Sequence, residues 1–597
     1  MSSDMDGQTL DDRTLIIAID FGTTYSGIAY GITEKTDLRV ACSSWPASQY
    51  DHDEASGEKV PTTIHYLPRS GEFEWGFQIP EDIVHPDEIV RWFKLYVHAT
   101  HNHLSTGDSN IVRGMQRPEN TPDDIRNMLA HHDTDRLVTD YLSGLGEHIL
   151  YFLAHREGQD SLDAFRERSA IRFVLTVPAV WKETAQDKTR QAFEKARGIG
   201  TLGPVTLVTE PEAAATFALH NMAKESALQV GQTFIVLDAG GGTVDIITYT
   251  ITSLDPVLQV KEAASGAGDF CGAAFIDKAF ADHLRATLGK EEDFDNEVLG
   301  HACRDFESTV KRQFSQTSMP NDQFTVAVPG MGRNTKLNIN KRGRLTLEAS
   351  EIHAMFEPYI LKTIRLVKDQ INTAKVQIEA VILVGGFGTS KYLRERLEKD
   401  IGEDMKVPIR ATKESLRAVL YGAVMKGMEI AAPETHTFLT IDERVARRWN
   451  LHTPGLKLKR IVIEHYGIEL AVPYDRNEHR ELKHKRFWDG LDGCDRVRAM
   501  HWFIRHGDRV AESKPFYHHF KQVSKVNRGR PDRIPLTIYS DDKSEEAPVA
   551  RNSNVKVLCH LEASLKSIPT SRIPVRTGKD GLEYYVLRCD IEVVCKC

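Results

Sequence analysis

Between residues 15 and about 428, short apolar runs alternate with stretches whose apolar positions recur at helical spacing. That alternation predicts α/β architecture. FVLTV (173–177) reads as a buried strand ended by Pro178. A helix pattern follows over about 182–197, with Trp181, Ala185, Ala192, Phe193 and Ala196 near one face and Gly198 as its stop. Another helix pattern covers 351–372, with an interruption and kink expected at Pro358, and precedes the strand AVILV (380–384). After about Ala432 the pattern changes. IVIEHYGIELAV (461–472), IPLTIYS (534–540), VKVLCHL (555–561) and YYVLRCDIEVV (584–594) read as strands among many Pro and Gly residues. At 597 residues the chain is too long for one core. The expected organisation is a flexible tail over 1–13, a large and two-lobed α/β domain over 14–432, and a β-rich domain over 433–597.

Two segments echo each other: LIIAIDFGTTYSGIAYGI (15–32) and FIVLDAGGGTVDIITYTI (234–251). Each is an apolar strand, an Asp, a tight Gly/Thr turn and a second strand. The part after each turn keeps strand alternation, which separates the pair from a P-loop; no GxxxxGK[ST] occurs in the chain. Gly22 and Gly240, Gly241 and Gly242 would allow positive φ and close approach of a ligand. Their N–H groups suit phosphates, and Thr23, Thr24 and Thr243 add hydroxyl donors. Asp20 and Asp238, at strand ends among phosphates, call for a bridging cation, and hydrated magnesium is the expected one. Two ordinary hairpins are the alternative, which the duplication makes the minor one. A third turn, in AVILVGGFGTSKYLRERL (380–397), offers Gly385 and Gly386 as a backbone surface for adenine and ribose.

These three turns, with FVLTVPAVW (173–181), LVTEPEAAATFAL (207–219) and AVLYGAVMKG (418–427), resemble the 70-kDa heat-shock chaperones over roughly residues 14–430. The WFKLYV stretch (92–97) is similar to a divergent branch of that family, the heat-shock 70 kDa protein 12 type, which has fungal members. The resemblance implies an actin-like ATPase (ribonuclease-H-like) fold binding ATP or ADP with Mg2+. It implies that Asp20 and Asp238 hold the hydrated metal and that Thr23, Thr24, Tyr25, Gly241, Gly242 and Thr243 line the phosphates. Lys94 would contact phosphate and position water, and Glu210 and Asp245 would flank the metal and attacking water. Gly272 carries over from a second glycine loop in GAGDFCGAA (266–274). Glu307 and Lys311 resemble the pair that sandwiches adenosine, with a spacing that differs by one residue; a surface ion pair between them is an equal alternative.

Departures from the family pattern carry their own expectations. Phe387 replaces a small polar residue at the adenosine turn, and Thr389 and Ser390 stand where a stacking arginine is usual. The apolar interdomain linker is replaced by the polar ETHTFLTIDERVARRW (434–449), and neither a helical lid nor an acidic C-terminal peptide is legible. Weak interdomain coupling is the expectation, and the usual co-chaperone partnership is not implied. The net charge of −9 gives no reason to expect a nucleic-acid partner. The polar N-terminus argues against a secretory signal, and no apolar stretch is long enough to span a bilayer. Eight dispersed cysteines, without CxxC, predict reduced thiols in a cytoplasmic protein. The functional expectation is a slow ATPase that binds unfolded or partner polypeptides. Its rivals are a non-hydrolysing, nucleotide-gated scaffold and, further off, a small-molecule kinase of the same fold.

Overall fold

The computed structural model describes residues 13–33, 40–48, 55–67, 70–80, 84, 88–97, 134–224, 228–254, 258–411, 414–431, 457–462, 464–511, 515–566 and 568–594. The chain divides into two compact units, Met1–Lys457 and Leu458–Cys597. The domain junction expected near residue 433 and the polar linker at 434–449 lie outside the described residues.

The first unit contains the same arrangement twice. In its first lobe, β1 (Leu15–Asp20) and β2 (Tyr25–Ile32) form an antiparallel hairpin. β3 (Ile171–Val177) runs parallel to β1 on the other side, and β4 (Val205–Thr209) runs parallel to β3. In the second lobe, β5 (Thr233–Ala239) and β6 (Val244–Ser253) form the hairpin, extended by antiparallel β7 (Gln259–Asp269). β8 (Ala380–Val384) lies parallel to β5, and β9 (Ile409–Ala411) parallel to β8. β1, β5 and β8 are buried at every position, as continuous apolar strands covered on both faces must be. Two lobes of one topology, each with its own core, make this the actin-like fold.

The helices follow the same logic. α1 (Lys94–Val97) is a single turn, and α2 (Thr134–Glu157) and α3 (Glu183–Lys195) pack in the first lobe. On α3 the predicted apolar face is the buried one, and Gly198 follows at φ +81°. α4 (Glu210–Lys224) lies on β5 and β6, and α5 (Ala274–Leu288) follows β7. α6 (Ala349–Ala374) runs unbroken through Pro358, so the expected interruption is absent. A proline costs one backbone hydrogen bond, and the buried stripe Met355, Phe356, Ile360, Ile364 and Val367 holds the helix on both sides of it. α7 (Lys391–Leu397) follows the third turn, and α8 (Ala418–Ala431) packs against α4 and against β1 and β3. No helix among the described residues is long and apolar enough to cross a membrane.

The second unit is built of strands. Its larger sheet has the order Phe487–Asp489, Cys494–Ile504, His465–Pro473, Arg533–Asp541, Lys556–Ser564, all antiparallel. Pro515–Lys525, Glu583–Val594 and Val575–Thr577 form a three-stranded sheet. The single strand expected over 461–472 is two, Lys457–Ile461 and His465–Pro473. The basic stretch at residues 480–487 forms the 3-10 turn Arg480–Lys485 and leads into the edge strand Phe487–Asp489. Helical structure among the described residues of this unit is confined to short 3-10 turns.

Candidate functional site

The two echoing turns face each other. A Cβ on Gly241 would strike Thr24 Oγ1, and one on Gly242 would strike Thr23 Oγ1. Positive φ, expected at Gly22, Gly240, Gly241 and Gly242, is adopted by none of them. Close approach is what excludes a side chain here, since a Cβ on Gly22 would hit the Tyr25 carbonyl. The carbonyls of Gly240, Gly241 and Gly242 accept hydrogen bonds from the N–H groups of Ala273, Ala274 and Gly272 at 3.2, 2.8 and 3.2 Å. Across a trans peptide the following N–H points the opposite way. The N–H groups of Gly241, Gly242 and Thr243 are therefore turned from that loop. Gly272 is a buttress of the turn, packed on the Gly241 carbonyl. Thr23 and Thr243 are buried, Thr24 half-buried, and Tyr25 is exposed at the start of β2.

Sheet register brings the carboxylates together. Asp238 lies directly opposite Asp245 across the β5–β6 pair, a juxtaposition that is unfavourable for like charges. Ile19 pairs with Leu175, so Thr176 stands beside Asp20 and donates its hydroxyl to Asp20 Oδ1 at 2.8 Å. Asp20 Oδ2 accepts from Lys59 Nζ at 2.6 Å. Glu210 begins α4 where β4 ends, and its Oε1 accepts from Lys94 Nζ at 2.6 Å. The Lys94 ammonium also lies 5.4 Å from both the Phe21 and the Trp181 ring centroids, a cation–π clamp. Trp92, two residues earlier, has φ +59°, a conformation rare for a bulky residue at the turn that delivers Lys94. Asp245 Oδ1 accepts from the N–H groups of Ala179 and Val180 at 2.8 and 3.3 Å. Its buried Oδ2 has no hydrogen-bond partner among the described residues.

Asp20, Glu210, Asp238 and Asp245 are all buried, and they outnumber Lys59 and Lys94 two to one. Burial, with the charges of Glu210, Asp245 and Asp20 added, pushes Asp238 well above the ordinary carboxylate range. Burial and Glu210 push Asp245 up to about 7. Glu210 is raised by burial against the pull of Lys94. Asp20 moves the other way: burial opposes its ionisation, but Lys59, Lys94 and Thr176 together hold it low. This is a centre of hard oxygen donors short of positive charge, with an orphaned carboxylate oxygen, and it fits a hydrated divalent cation. Among the described residues no three acidic, His or Cys side chains converge to cage a bare ion, so such an ion would keep much of its water shell.

The third turn closes over the same point. Val384 pairs with Asp238, and the next residue, Gly385, has φ +86° and no room for a Cβ beside Asp238 Oδ1. Gly386 is open, with only Leu416 nearby at 3.8 Å. Phe387 turns into the lobe core instead of standing over the turn, while Ser390 caps α7 through the Leu393 N–H. Glu307 lies on a π-helical turn, Phe306–Val310. Such a turn accommodates one extra residue, which is the size of the spacing difference. The alternative of an ion pair between Glu307 and Lys311 gives way to another partner: Lys311 Nζ donates to both oxygens of Asp277, at 2.7 and 2.6 Å. Lys59, Thr176 and Asp277 were not legible as site residues, because only strand register and lobe packing bring them there.

Asp277 gives a pH test of this region. Burial raises it, against the pull of Lys311 and with the push of Glu307, to about 6. The folded state thus holds the proton more tightly than the unfolded chain. Its contribution is fully present below the unfolded carboxylate value and is lost as pH rises through about 6. Thermal melts from about pH 4 to about pH 7 should show Asp277→Asn gaining stability relative to wild type as pH rises. A constant difference would refute the assignment.

The family model described as Hsp70 protein matches residues 159–443. Heat shock 70 kDa protein 12A of Homo sapiens is 24% identical over 506 residues, spanning 70% of this chain and 70% of that protein. Heat shock 70 kDa protein 12B of Homo sapiens is 22% identical over 473 residues, or 65% of each. Chaperone protein DnaK of Psychrobacter cryohalolentis is 25% identical over 270 residues, 45% of this chain and 39% of its own. These matches make the chain similar to Hsp70 proteins, and the family-model match falls in the unit that carries the duplicated lobes and the facing hairpins.

Proposed function

We propose that the protein binds ATP with magnesium between its two lobes, hydrolyses it slowly to ADP and phosphate, and receives polypeptide on its β-rich unit. The observation that carries this reading is the convergence of two Asp-bearing hairpins on one buried, cation-deficient carboxylate centre. Asp20 and Asp238 would hold the hydrated magnesium. Thr23, Thr24, Tyr25 and the N–H groups of Gly241, Gly242 and Thr243 would line the phosphates. Gly385 and Gly386 would back the adenosine, with Glu307 and Lys311 at its edge. Bound magnesium supplies positive charge that offsets the phosphates.

The chain's own groups do the rest by position and charge, as phosphoryl transfer requires. Lys94, clamped by Phe21, Trp181 and Glu210, presents a fixed ammonium. Asp245, with one oxygen tied to two backbone N–H groups, keeps the other to orient water. The polypeptide part of the reading is supported by exposed apolar side chains on the β-rich unit. Val557, Leu558 and Leu561 line the edge strand Lys556–Ser564, and Phe487 and Trp488 lie on the opposite edge. Strands that end a sheet among the described residues, as these do, can accept an extended peptide.

Calorimetric titration tests the nucleotide part. Wild type should bind ATP in the presence of Mg2+, and Asp20→Asn or Asp238→Asn should weaken that binding. Absence of heat at nucleotide concentrations of about 1 mM would end the reading.

A further inference from the structure

Lys59 is a charged group of the site that neither motif nor resemblance assigns. It precedes Val60 and Pro61, which pair with Ser26 and Tyr25 on β2. That pairing lays the segment alongside the first hairpin. Glu58, its neighbour, is ion-paired with Arg417 just ahead of α8, which fixes the segment from outside. The Lys59 stem then crosses Gly27, the residue opposite Asp20 in the hairpin register. A Cβ at Gly27 would lie 3.4 Å from Lys59 Cγ and 3.2 Å from Leu420 Cδ2, so the missing side chain leaves the lane the lysine uses. The ammonium ends 2.6 Å from Asp20 Oδ2, while Thr176 occupies Oδ1. Both oxygens of the carboxylate expected to serve the metal are thus engaged by the chain itself. Asp238 and Asp245, across the cleft, remain short of positive charge.

A surface ion pair would leave its lysine mobile and solvated, and such pairs contribute little. Here the lysine side chain is only 24% exposed and Asp20 only 6%. Lys59 also feels Asp238 and Glu210 along with Asp20. We propose that Lys59 is a tethered cation of the phosphate site, standing at Asp20 in place of part of the divalent metal's charge. Nucleotide binding in this protein then depends only weakly on magnesium. This rests on the nucleotide-binding reading above and adds to it the identity of the residue that lessens the metal requirement.

The test is the ratio of affinities for a fluorescent N-methylanthraniloyl-ATP, measured with EDTA and with excess Mg2+. Wild type should show a ratio below about tenfold. Lys59→Met should raise it above about a hundredfold, mainly by losing the EDTA affinity, and Lys59→Arg should restore a low ratio. Melting midpoints without nucleotide report whether each variant folds. A purely structural role would weaken both affinities alike and leave the ratio unchanged, which would overturn the proposal. Wild type that binds only with Mg2+ would overturn it too, while leaving the nucleotide-binding reading intact. No binding in either condition would remove both.

Discussion

Glu210→Ala and Lys94→Ala should each slow ATP hydrolysis by about 100- to 1,000-fold while changing ATP affinity by less than about tenfold. The two side chains form one unit, the Lys94 ammonium 2.6 Å from Glu210 Oε1 and held between two aromatic rings. A charge fixed in this way helps most where charge moves, at the transferring phosphate and the attacking water, so its loss registers in turnover more than in binding. Single-turnover phosphate release and equilibrium titration separate the two. The double variant adds a sharper criterion. Groups that act together are not additive, so Lys94→Ala/Glu210→Ala should be no slower than the worse single variant. Equal turnover in wild type and both single variants would remove Lys94 and Glu210 from the catalytic assignment. A wild type that binds ATP but releases no phosphate would favour the non-hydrolysing scaffold.

Gly422→Ala should destabilise the first unit by about 3 kcal/mol or more. At this point α8 crosses α4 so closely that a Cβ on Gly422 would overlap the Ala213 carbonyl oxygen and carbon. The clash is with helix backbone, so no rotamer change relieves it, and the helices must move apart. α4 lies on β5 and β6 and begins at Glu210, while α8 lies on β1 and β3. Separation would therefore loosen both lobes' shared seam and displace Glu210 from Lys94. Against a usual total of about 5–15 kcal/mol, a loss of this size shows as a large drop in denaturation midpoint. It should also bring loss of ATP affinity in the surviving folded fraction. A change below about 0.5 kcal/mol would mean that this crossing relaxes freely.

Legibility followed the range of the interactions. The strands at 173–177 and 380–384, the helix after Trp181 and the two hairpins depend on neighbours a few residues apart, and the structure has them close to where the pattern put them. The unbroken course of α6 through Pro358 was not readable, because a buried stripe along the whole helix outweighs one lost hydrogen bond. The glycines of the facing turns read as sites of positive φ and of close approach by a ligand; the structure shows no positive φ there and gives them a steric reason within the chain. Gly241 and Gly242 are glycines because Thr24 and Thr23 of the other hairpin occupy the space, and that neighbour lies more than two hundred residues away in the chain.

What the sequence by itself determined is the alternation that makes an α/β domain followed by strands, and the duplicated Asp, Gly and Thr turns that mark the centre. These are local, repeated signals, and local backbone preference is enough to write them. What only the tertiary structure decided is the company those residues keep. Lys59 reaches Asp20 through strand pairing at Ser26 and Val60, Thr176 through the β1–β3 register, and Asp277 takes Lys311 from Glu307. The charge state of the centre follows from that company, because burial and the sum of nearby charges set it. Those quantities exist only once chain segments far apart in sequence have been packed together.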